Sequence, residues 1–220
     1  MRTYAEKIWG DCSEAVAYEL NFVQMCYASE SASWLDYYDV LCDKCNKIKQ
    51  RKDFVYPKGS FSKKDYYILD FYCYGVSEKL KQDMISFGVS ENIFRPIYSS
   101  RGNLVLGYQI VPINILPPIY KENGMSETSC CRQCGRKIYE IKDDLCSTEA
   151  YGGLGYPTYI TQEALNKIQD VNGLYENNDN VIISLSLYNH LIEKYPRLEC
   201  RPVFLGSVYN DGEYIRLHNE

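Results

Sequence analysis

Two short cysteine pairs are the residues of this chain whose type and spacing predict a definite chemistry. Cys42 and Cys45 form the first CxxC pair, and Cys131 and Cys134 form the second, which Gly135 follows. Two thiolates three residues apart can bind one metal ion from the same side, and two such pairs complete the four-thiolate set of a structural zinc site. The spacing therefore predicts one structural zinc ion held by these four cysteines, in a zinc-ribbon-like element.

The sequence leaves other uses of the cysteines open. The chain has ten cysteines, so disulfides are one alternative, and a thioredoxin-like redox pair is another. One active pair would suffice for redox chemistry, whereas two pairs suit a metal ion better. Cys130 could replace Cys131 as a ligand, although Cys130 and Cys134 have CxxxC spacing. Cys73 and Cys200 lie in apolar or aromatic segments and are expected in the core.

Motifs for catalysis are few. The two histidines are His190, in a predicted helix, and His218, close to the end of the chain. No GxSxG, HExxH or paired-carboxylate motif stands out, and the glycine run at 152–155 does not match a phosphate-binding loop. Arg95 and Arg201 each precede a proline and could bind a carboxylate or phosphate, or pair with a local acid. Four thiolates leave no open metal position for a water, which argues against a catalytic zinc. Together with the lack of catalytic motifs, this predicts a protein that is not an enzyme.

Charge is distributed unevenly along the chain. The net charge is -5, which argues against a general nucleic-acid binder. The stretch 44–64 is nevertheless basic, with eight lysines and arginines against one acid, and aromatic residues are interleaved. Such a stretch could bind phosphates and stack bases, or form the solvated face of a hairpin. The candidate nucleic-acid-binding residues within it are Lys47, Lys49, Arg51 and Lys52.

Hydrophobic patterning predicts an α+β fold with two related strand–helix–hairpin units. The segments of the first unit are a strand at 71–76, the cap Ser77, a helix ended by Gly88, a strand at 93–98 and a strand at 104–111. Those of the second are a strand at 181–183, the cap Ser184, a helix, a strand at 200–204 and a last strand at 214–217. The matching element order indicates an internal repeat.

The remaining segments complete the predicted organisation. A helix is expected within 13–25, a strand at 34–41, a turn at 56–59, and a third strand–cap–helix segment at 158–168. The second cysteine pair falls in the linker between the two units. The predicted division is an N-terminal mixed segment (1–41), a first unit flanked by the cysteine pairs (42–146) and a C-terminal unit (147–220).

Targeting features are not recognised in the sequence. No apolar run of about 18 residues occurs, so no membrane helix is expected. The first thirty residues carry scattered acids and do not resemble a signal peptide. We therefore expect a cytoplasmic protein, and its oligomeric state stays open.

The layout resembles the double-CxxCG proteins of bacterial polymorphic-toxin systems, which act as immunity proteins. The similarity lies in an aromatic N-terminal segment, a first CxxC, a long middle region, a CxxCG at 131–135 and a final unit ending near RPVFL. Asn46 stands where the family pattern has a glycine. The resemblance implies a protein that binds a cognate toxin and blocks its active site. The alternative is a zinc-containing regulatory protein that binds nucleic acid through residues 44–64.

Overall fold

Most of the chain is described by a computed structural model. The described residues are 2–22, 25–26, 38–44, 48–51, 54–55, 61, 63–69, 73–99, 101, 104–117, 125–135, 137–141, 158–174 and 180–206. The elements are, in chain order, α1 (Tyr4–Trp9), β1 (Ala17–Leu20), β2 (Met25–Cys26), β3 (Tyr38–Leu41), β4 (Ile48–Arg51), β5 (Phe54–Val55), β6 (Tyr66–Leu69), β7 (Cys73–Val76), α2 (Glu78–Phe87), a 3₁₀ turn (Glu91–Ile93), β8 (Phe94–Tyr98), β9 (Val105–Ile110), β10 (Asn114–Leu116), β11 (Met125–Cys130), β12 (Lys137–Ile141), β13 (Thr158–Ile160), α3 (Gln162–Leu165), β14 (Val171–Leu174), β15 (Val181–Ser184), α4 (Leu185–Lys194) and β16 (Cys200–Leu205).

The strands of the described ranges pair into two six-stranded sheets and two separate hairpins. The first sheet has the order β2-β6-β7-β9-β8-β5, and the second has the order β10-β14-β15-β1-β16-β13. The hairpins are β3–β4 and β11–β12. The predicted mixed α+β class is therefore confirmed. Within the described part of the chain, α2 and α4 are the longest helices at ten residues each, and none is long and apolar enough to cross a membrane.

The two sheets have the same topology position by position. In each, the outermost pairs are parallel (β2 with β6 and β10 with β14, then β5 with β8 and β13 with β16). The inner pairs are all antiparallel, and a ten-residue helix follows the third strand of each sheet. The position of β9 in the first sheet is taken in the second by β1. The N-terminal strand thus completes the sheet formed by the C-terminal half of the chain.

Each cysteine-bearing hairpin occupies the same place in its unit. In chain order, the β3–β4 hairpin comes after β2 and before β5, which are the two edge strands of the first sheet. The β11–β12 hairpin likewise comes after β10 and before β13 in the chain, and these are the two edge strands of the second sheet. By chain order, the second hairpin thus falls within the strands of the second sheet. The sequence placed it in a linker, and the division into 1–41, 42–146 and 147–220 stays a prediction.

The same capping arrangement begins both long helices. Ser77 and Ser184 accept hydrogen bonds from the amides of the third helical residues, as their positions before apolar helical faces predict. Each serine hydroxyl also donates to an aspartate, Asp65 at 2.8 Å and Asp170 at 2.9 Å. At the other end of α2, Gly88 has φ +125°, a conformation that favours glycine. The predicted cap Thr161 likewise begins α3.

A shared core joins the two units. Leu80 and Met84 of α2 and Leu187 and Leu191 of α4 belong to one buried cluster, which also contains side chains of both sheets. A second cluster covers the opposite face of the second sheet through residues such as Ile182. Both faces of that sheet are therefore buried, which explains the continuous apolar character of β15.

The segment predicted as a helix at 13–25 contains a strand instead. Residues Ala17–Leu20 form β1, and all four are buried. This strand is paired on both sides, with β15 and with β16. The helix prediction was wrong because a central strand buried on both faces shows no alternation, and its apolar residues can match a helical spacing by chance.

The partner of the last described strand also differs from the prediction. Residues 214–217, predicted to pair back as a final strand, lie outside the described residues, as does the predicted turn at 56–59. In the structure β16 pairs with β1 on one side and with β13 on the other. Pro202 lies opposite Tyr18 of β1, in the same way that Pro96 lies opposite Tyr108 in the first sheet.

Candidate metal centre

Three of the four predicted ligands lie at hairpin tips, Cys42 on one hairpin and Cys131 and Cys134 on the other. Cys42 directly follows β3, and Cys131 directly follows β11. The amide of Gly135 donates to the carbonyl of Cys131 at 2.8 Å, and Gly135 has φ +70°. A left-handed residue at this point is the reason for the glycine of the CxxCG motif. This backbone turn closes the loop that carries Cys131 and Cys134.

Three cysteine thiols converge although 89 positions separate the first two. The Sγ atoms of Cys42, Cys131 and Cys134 all lie within 4.8 Å of one another. Those of Cys42 and Cys131 are 3.5 Å apart. Zinc–sulfur bonds of about 2.3 Å in a tetrahedron place the sulfurs about 3.8 Å apart, so this spacing suits a shared metal ion. The donor set therefore fits a thiophilic metal such as zinc.

Backbone donors favour the thiolate form of Cys131 within this largely buried cluster. Cys42 is 0% exposed and Cys131 is 5% exposed. Backbone hydrogen bonds from Cys134 and Gln133 lower the pKa of Cys131 to about 6. A thiol with a lowered pKa is deprotonated near neutral pH, which is the form that binds a metal ion. The backbone amides of Gln133 and Cys134 thus favour the thiolate, which is the form that a metal site requires.

Gln133 connects the turn after β11 with the turn after β3, beside the thiols. Gln133 donates through Nε2 to Oδ2 of Asp43 at 3.0 Å. The thiol of Cys42 lies 3.8 Å from Oε1 of the same glutamine. Gln133 therefore contacts both the aspartate beside Cys42 and Cys42 itself. The sequence reasoning did not select Asp43 or Gln133, although both occupy the variable positions of the CxxC motifs, where outer contacts of a metal site are found.

Among the described cysteines, Cys130 and Cys200 do not belong to the three-thiol cluster. Cys130 is exposed, and its thiol lies 3.2 Å from the carbonyl oxygen of Gly135, outside the three-thiol cluster. Cys45 lies outside the described residues. Cys200 is completely buried, as predicted for a core residue, and burial raises its pKa well above the ordinary thiol value.

Arg95 and Arg201, the two candidate anion-binding residues, lie at matching positions on strands of the two sheets. Arg201 lies beside Glu19 on the neighbouring strand, with Nη1 3.9 Å from Oε2, and both side chains are almost fully buried. This arrangement is the pairing with a local acid that the sequence left as one alternative. Arg95 lies at the matching position of β8, opposite Gln109.

His190 lies on α4, with its ring centroid 5.1 Å from that of Phe87.

The candidate nucleic-acid-binding residues stay predictions. Lys49 and Arg51 belong to β4, on the same hairpin as Cys42. Lys47 and Lys52 lie outside the described residues, as does His218.

Comparison with known proteins adds no assignment. No protein-family model matches this chain, and a search of curated proteins also finds no match. Function must therefore be argued from the residues and their geometry.

Proposed function

We propose that Cys42, Cys45, Cys131 and Cys134 bind one structural zinc ion in a zinc-ribbon-like element. The proposal is supported by the convergence of three of these thiols and by the equivalence of the two hairpins. In that equivalence Cys42 corresponds to Cys131, and Cys45 corresponds to Cys134. A fourth thiolate from Cys45 would complete a closed tetrahedral set with no position for a reacting water.

Such an ion would join the two units at a second point, away from their shared core. Each hairpin connects the edge strands of a different sheet, so an ion between their tips fixes the orientation of one hairpin relative to the other. A structural zinc ion contributes on the order of 10 kcal/mol of apparent binding free energy in small zinc domains. The expected result of the ion is a rigid scaffold rather than a reaction centre.

Metal analysis of the purified chain tests the site. We expect one zinc per chain by plasma mass spectrometry, and near-complete loss in the double variant Cys42→Ser with Cys134→Ser. A zinc content well below one per chain, or one unchanged in the double variant, would remove the site.

For the molecule as a whole, we propose a non-enzymatic, immunity-type protein that binds a cognate toxin and blocks its active site. The observation that carries the proposal is the thiol cluster that Cys42 of the CxxC motif forms with Cys131 and Cys134 of the CxxCG motif. These two motifs are the feature by which the chain resembles double-CxxCG immunity proteins. The net charge of -5 suits fast association with a basic enzyme.

Neutralisation is tested with the toxin domain encoded beside the gene for this chain. Co-expression with the wild-type chain should restore growth of cells that produce the toxin, and the purified pair should form a stable complex. The double cysteine variant should protect less, whereas Lys167→Gln, at an exposed lysine on the second unit, should protect fully. If the purified chain bound no such toxin domain, the proposed function would be wrong.

A further inference from the structure

A cleft with several cationic side chains lies where three parts of the chain meet, distinct from the thiol cluster. Its cavity volume is about 600 Å³. Helix α1, the segment before β6 and the connection between α4 and β16 form its walls. The side chains that define it chemically are Tyr4, Lys7, Lys63, Lys64, Tyr66 and Arg197.

Positive charge dominates this cleft although the chain as a whole is acidic. Two acids also line it, Asp65 and Glu199. The carboxylate of Asp65 accepts the hydroxyl hydrogen bond of Ser77, so that charge already serves the cap of α2. Three lysines and one arginine therefore face two acids in the cleft, so the formal charge of its lining is positive. Such an arrangement favours an anionic ligand.

Two tyrosines add aromatic surface to the cleft. Burial, followed by the nearby charge of Glu199, raises the pKa of Tyr4, and the same two causes raise the pKa of Tyr66 to about 12. Both phenols therefore keep their protons at neutral pH. The hydroxyl of Tyr66 donates to the carbonyl oxygen of Arg197 at 2.5 Å, which joins two walls of the cleft.

The repeated topology shows that the fold itself does not require the lysines. Asp65 and Asp170 are equivalent, because each precedes the second strand of its sheet and bonds the serine that caps the following helix. The two residues before Asp65 are Lys63 and Lys64, whereas those before Asp170 are Ile168 and Gln169. The same structural position is thus built without charge in the second unit, which points to a separate role for the lysine pair.

We propose that this cleft binds a nucleoside di- or triphosphate. Several cations from separate elements suit a ligand with more than one phosphate, and the guanidinium of Arg197 can engage a phosphate through two N–H groups. The rings of Tyr4 and Tyr66 offer aromatic surface to a base. A volume of about 600 Å³ lies within the ordinary range for small-ligand sites. The proposal is independent of toxin neutralisation.

Calorimetric titration of the full chain with ATP tests the proposal at low ionic strength. We expect one ATP per chain, and binding about tenfold weaker in the double variant Lys7→Gln with Lys63→Gln, because charge-assisted hydrogen bonds to phosphate are lost. Arg197→Gln should show a loss of similar size. Lys167→Gln removes the same charge at an exposed lysine outside the cleft and should bind ATP like the wild type.

Three outcomes would overturn the proposal. The first is no ATP binding at millimolar concentration, and the second is equal binding by the wild-type chain and the Lys7→Gln, Lys63→Gln variant. The third is equal or tighter binding of inorganic tripolyphosphate or of a glutamate-rich peptide, since either would remove the role of the base. Protection against the toxin is measured separately on the same variants, so failure of one proposal does not imply failure of the other.

Discussion

Cys130 and Cys131 are neighbours in the chain but have opposite environments. Cys131 is buried within hydrogen-bonding distance of Cys42, whereas Cys130 is exposed and contacts the carbonyl of Gly135. This difference arises because Cys130 is the last residue of β11, while Cys131 begins the turn. The geometry thus separates two residues that spacing alone left as competing ligands.

We predict that single substitutions distinguish these two cysteines. Cys131→Ser should lose most of the bound zinc, because it removes a central thiol of the cluster, and the chain should unfold at a lower temperature. Cys130→Ser should keep the zinc content and melting temperature of the wild type. Plasma mass spectrometry and thermal unfolding measure both quantities. Retention of zinc by Cys131→Ser with loss in Cys130→Ser would exchange the two assignments.

Tyr67 explains two glycines of the first sheet. Its side chain extends from β6 across Gly75 of β7 to Gly107 of β9 and is 1% exposed. Its hydroxyl donates to the carbonyl oxygen of Val76 at 3.0 Å. A Cβ at Gly75 would overlap the ring edge, and one at Gly107 would overlap the hydroxyl. The glycines are therefore required by close packing of a side chain rather than by a turn.

We predict that Gly107→Ala lowers the free energy of unfolding by about 1–3 kcal/mol, the usual cost of overpacking a core. The added methyl group meets the Tyr67 hydroxyl and the Val76 carbonyl. Gly75→Ala should also destabilise the fold, because its added methyl group meets ring carbons of Tyr67. Removing the hydroxyl with Tyr67→Phe should recover part of the stability lost in Gly107→Ala but little of that lost in Gly75→Ala. Urea unfolding of the single and double variants measures the coupling. Equal recovery in both backgrounds would contradict this packing.

At the residue scale, the sequence predicted the convergence of Cys42, Cys131 and Cys134 better than the packing of aromatic residues. The spacing of two cysteines is a local signal, so the pairs could be recognised without a fold. Tyr67 and its glycines lie on three different strands, and nothing local connects them. Every tyrosine side chain that the structure describes is at least half-buried, as Tyr18 and Tyr188 show.

At the element scale, the caps of α2 and α4 are a repeated device. Each serine satisfies a helical amide and also donates to an aspartate that lies just before a neighbouring strand. The cap thus fixes the helix start to the sheet. Backbone bonds from Ser77 to Asp65 and from Ser184 to Asp170 support the same junction.

We predict that Ser77→Ala and Ser184→Ala each lower the free energy of unfolding by about 1–2 kcal/mol, since each removes an N-cap and leaves an aspartate without its hydroxyl donor. Ser86→Ala is the matched control, because Ser86 is near the end of α2 and its exposed hydroxyl donates only to the carbonyl of Asp83. It should change stability by less than about 0.5 kcal/mol. Chemical denaturation measures all three variants. A cap substitution as mild as the control would contradict the shared capping role.

Elements with local signals were therefore predictable, whereas those defined by pairing were not. Ser77, Ser184 and Gly88 identified helix ends because capping chemistry depends on neighbouring residues. The strand β1 was misassigned because its pairing partners, β15 and β16, lie more than 160 positions away in the chain. Sequence periodicity reports the exposure of one face, and a strand covered on both faces lacks that signal.

At the scale of the whole molecule, two sheets of equal topology pack through their helices. The sequence indicated a repeat, but it placed the final strand of the second unit at 214–217, where the structure has β1 next to β16. A strand supplied from the other end of the chain cannot be recognised from local order. The closing of the second sheet by the N-terminal segment follows from pairing over the full length of the chain.

Direct contact between the helices joins the two units. Asp83 on α2 accepts hydrogen bonds from Nζ of Lys194 at 2.5 Å and from the hydroxyl of Tyr195 at 2.6 Å. Its side chain is 20% exposed, and that of Lys194 is 45% exposed, so solvent weakens the ion pair. The tyrosine bond is partly buried and orients the carboxylate. Asp83 therefore contacts both α4 and the residue that ends it.

We predict that Asp83→Asn lowers the free energy of unfolding at neutral pH by about 1 kcal/mol, in the range of one charged hydrogen bond reduced by exposure. The hydrogen bonds from Lys194 and then Tyr195 hold the pKa of Asp83 below its ordinary value. A carboxyl with a depressed folded pKa stabilises the fold above its unfolded pKa of about 4, and this contribution disappears as pH falls through the folded value. The difference between wild type and variant should therefore be full at pH 7 and shrink below about pH 4.

Urea unfolding at several pH values measures this difference, because the effect of acid on the cysteines is common to both proteins and cancels. Glu163→Gln is the control, since Glu163 pairs with Lys167 within one unit, and both side chains are exposed. It should change stability by less than about 0.5 kcal/mol. A wild-type advantage over Asp83→Asn that grew as the pH was lowered would show that the carboxylate does not stabilise the contact between the helices.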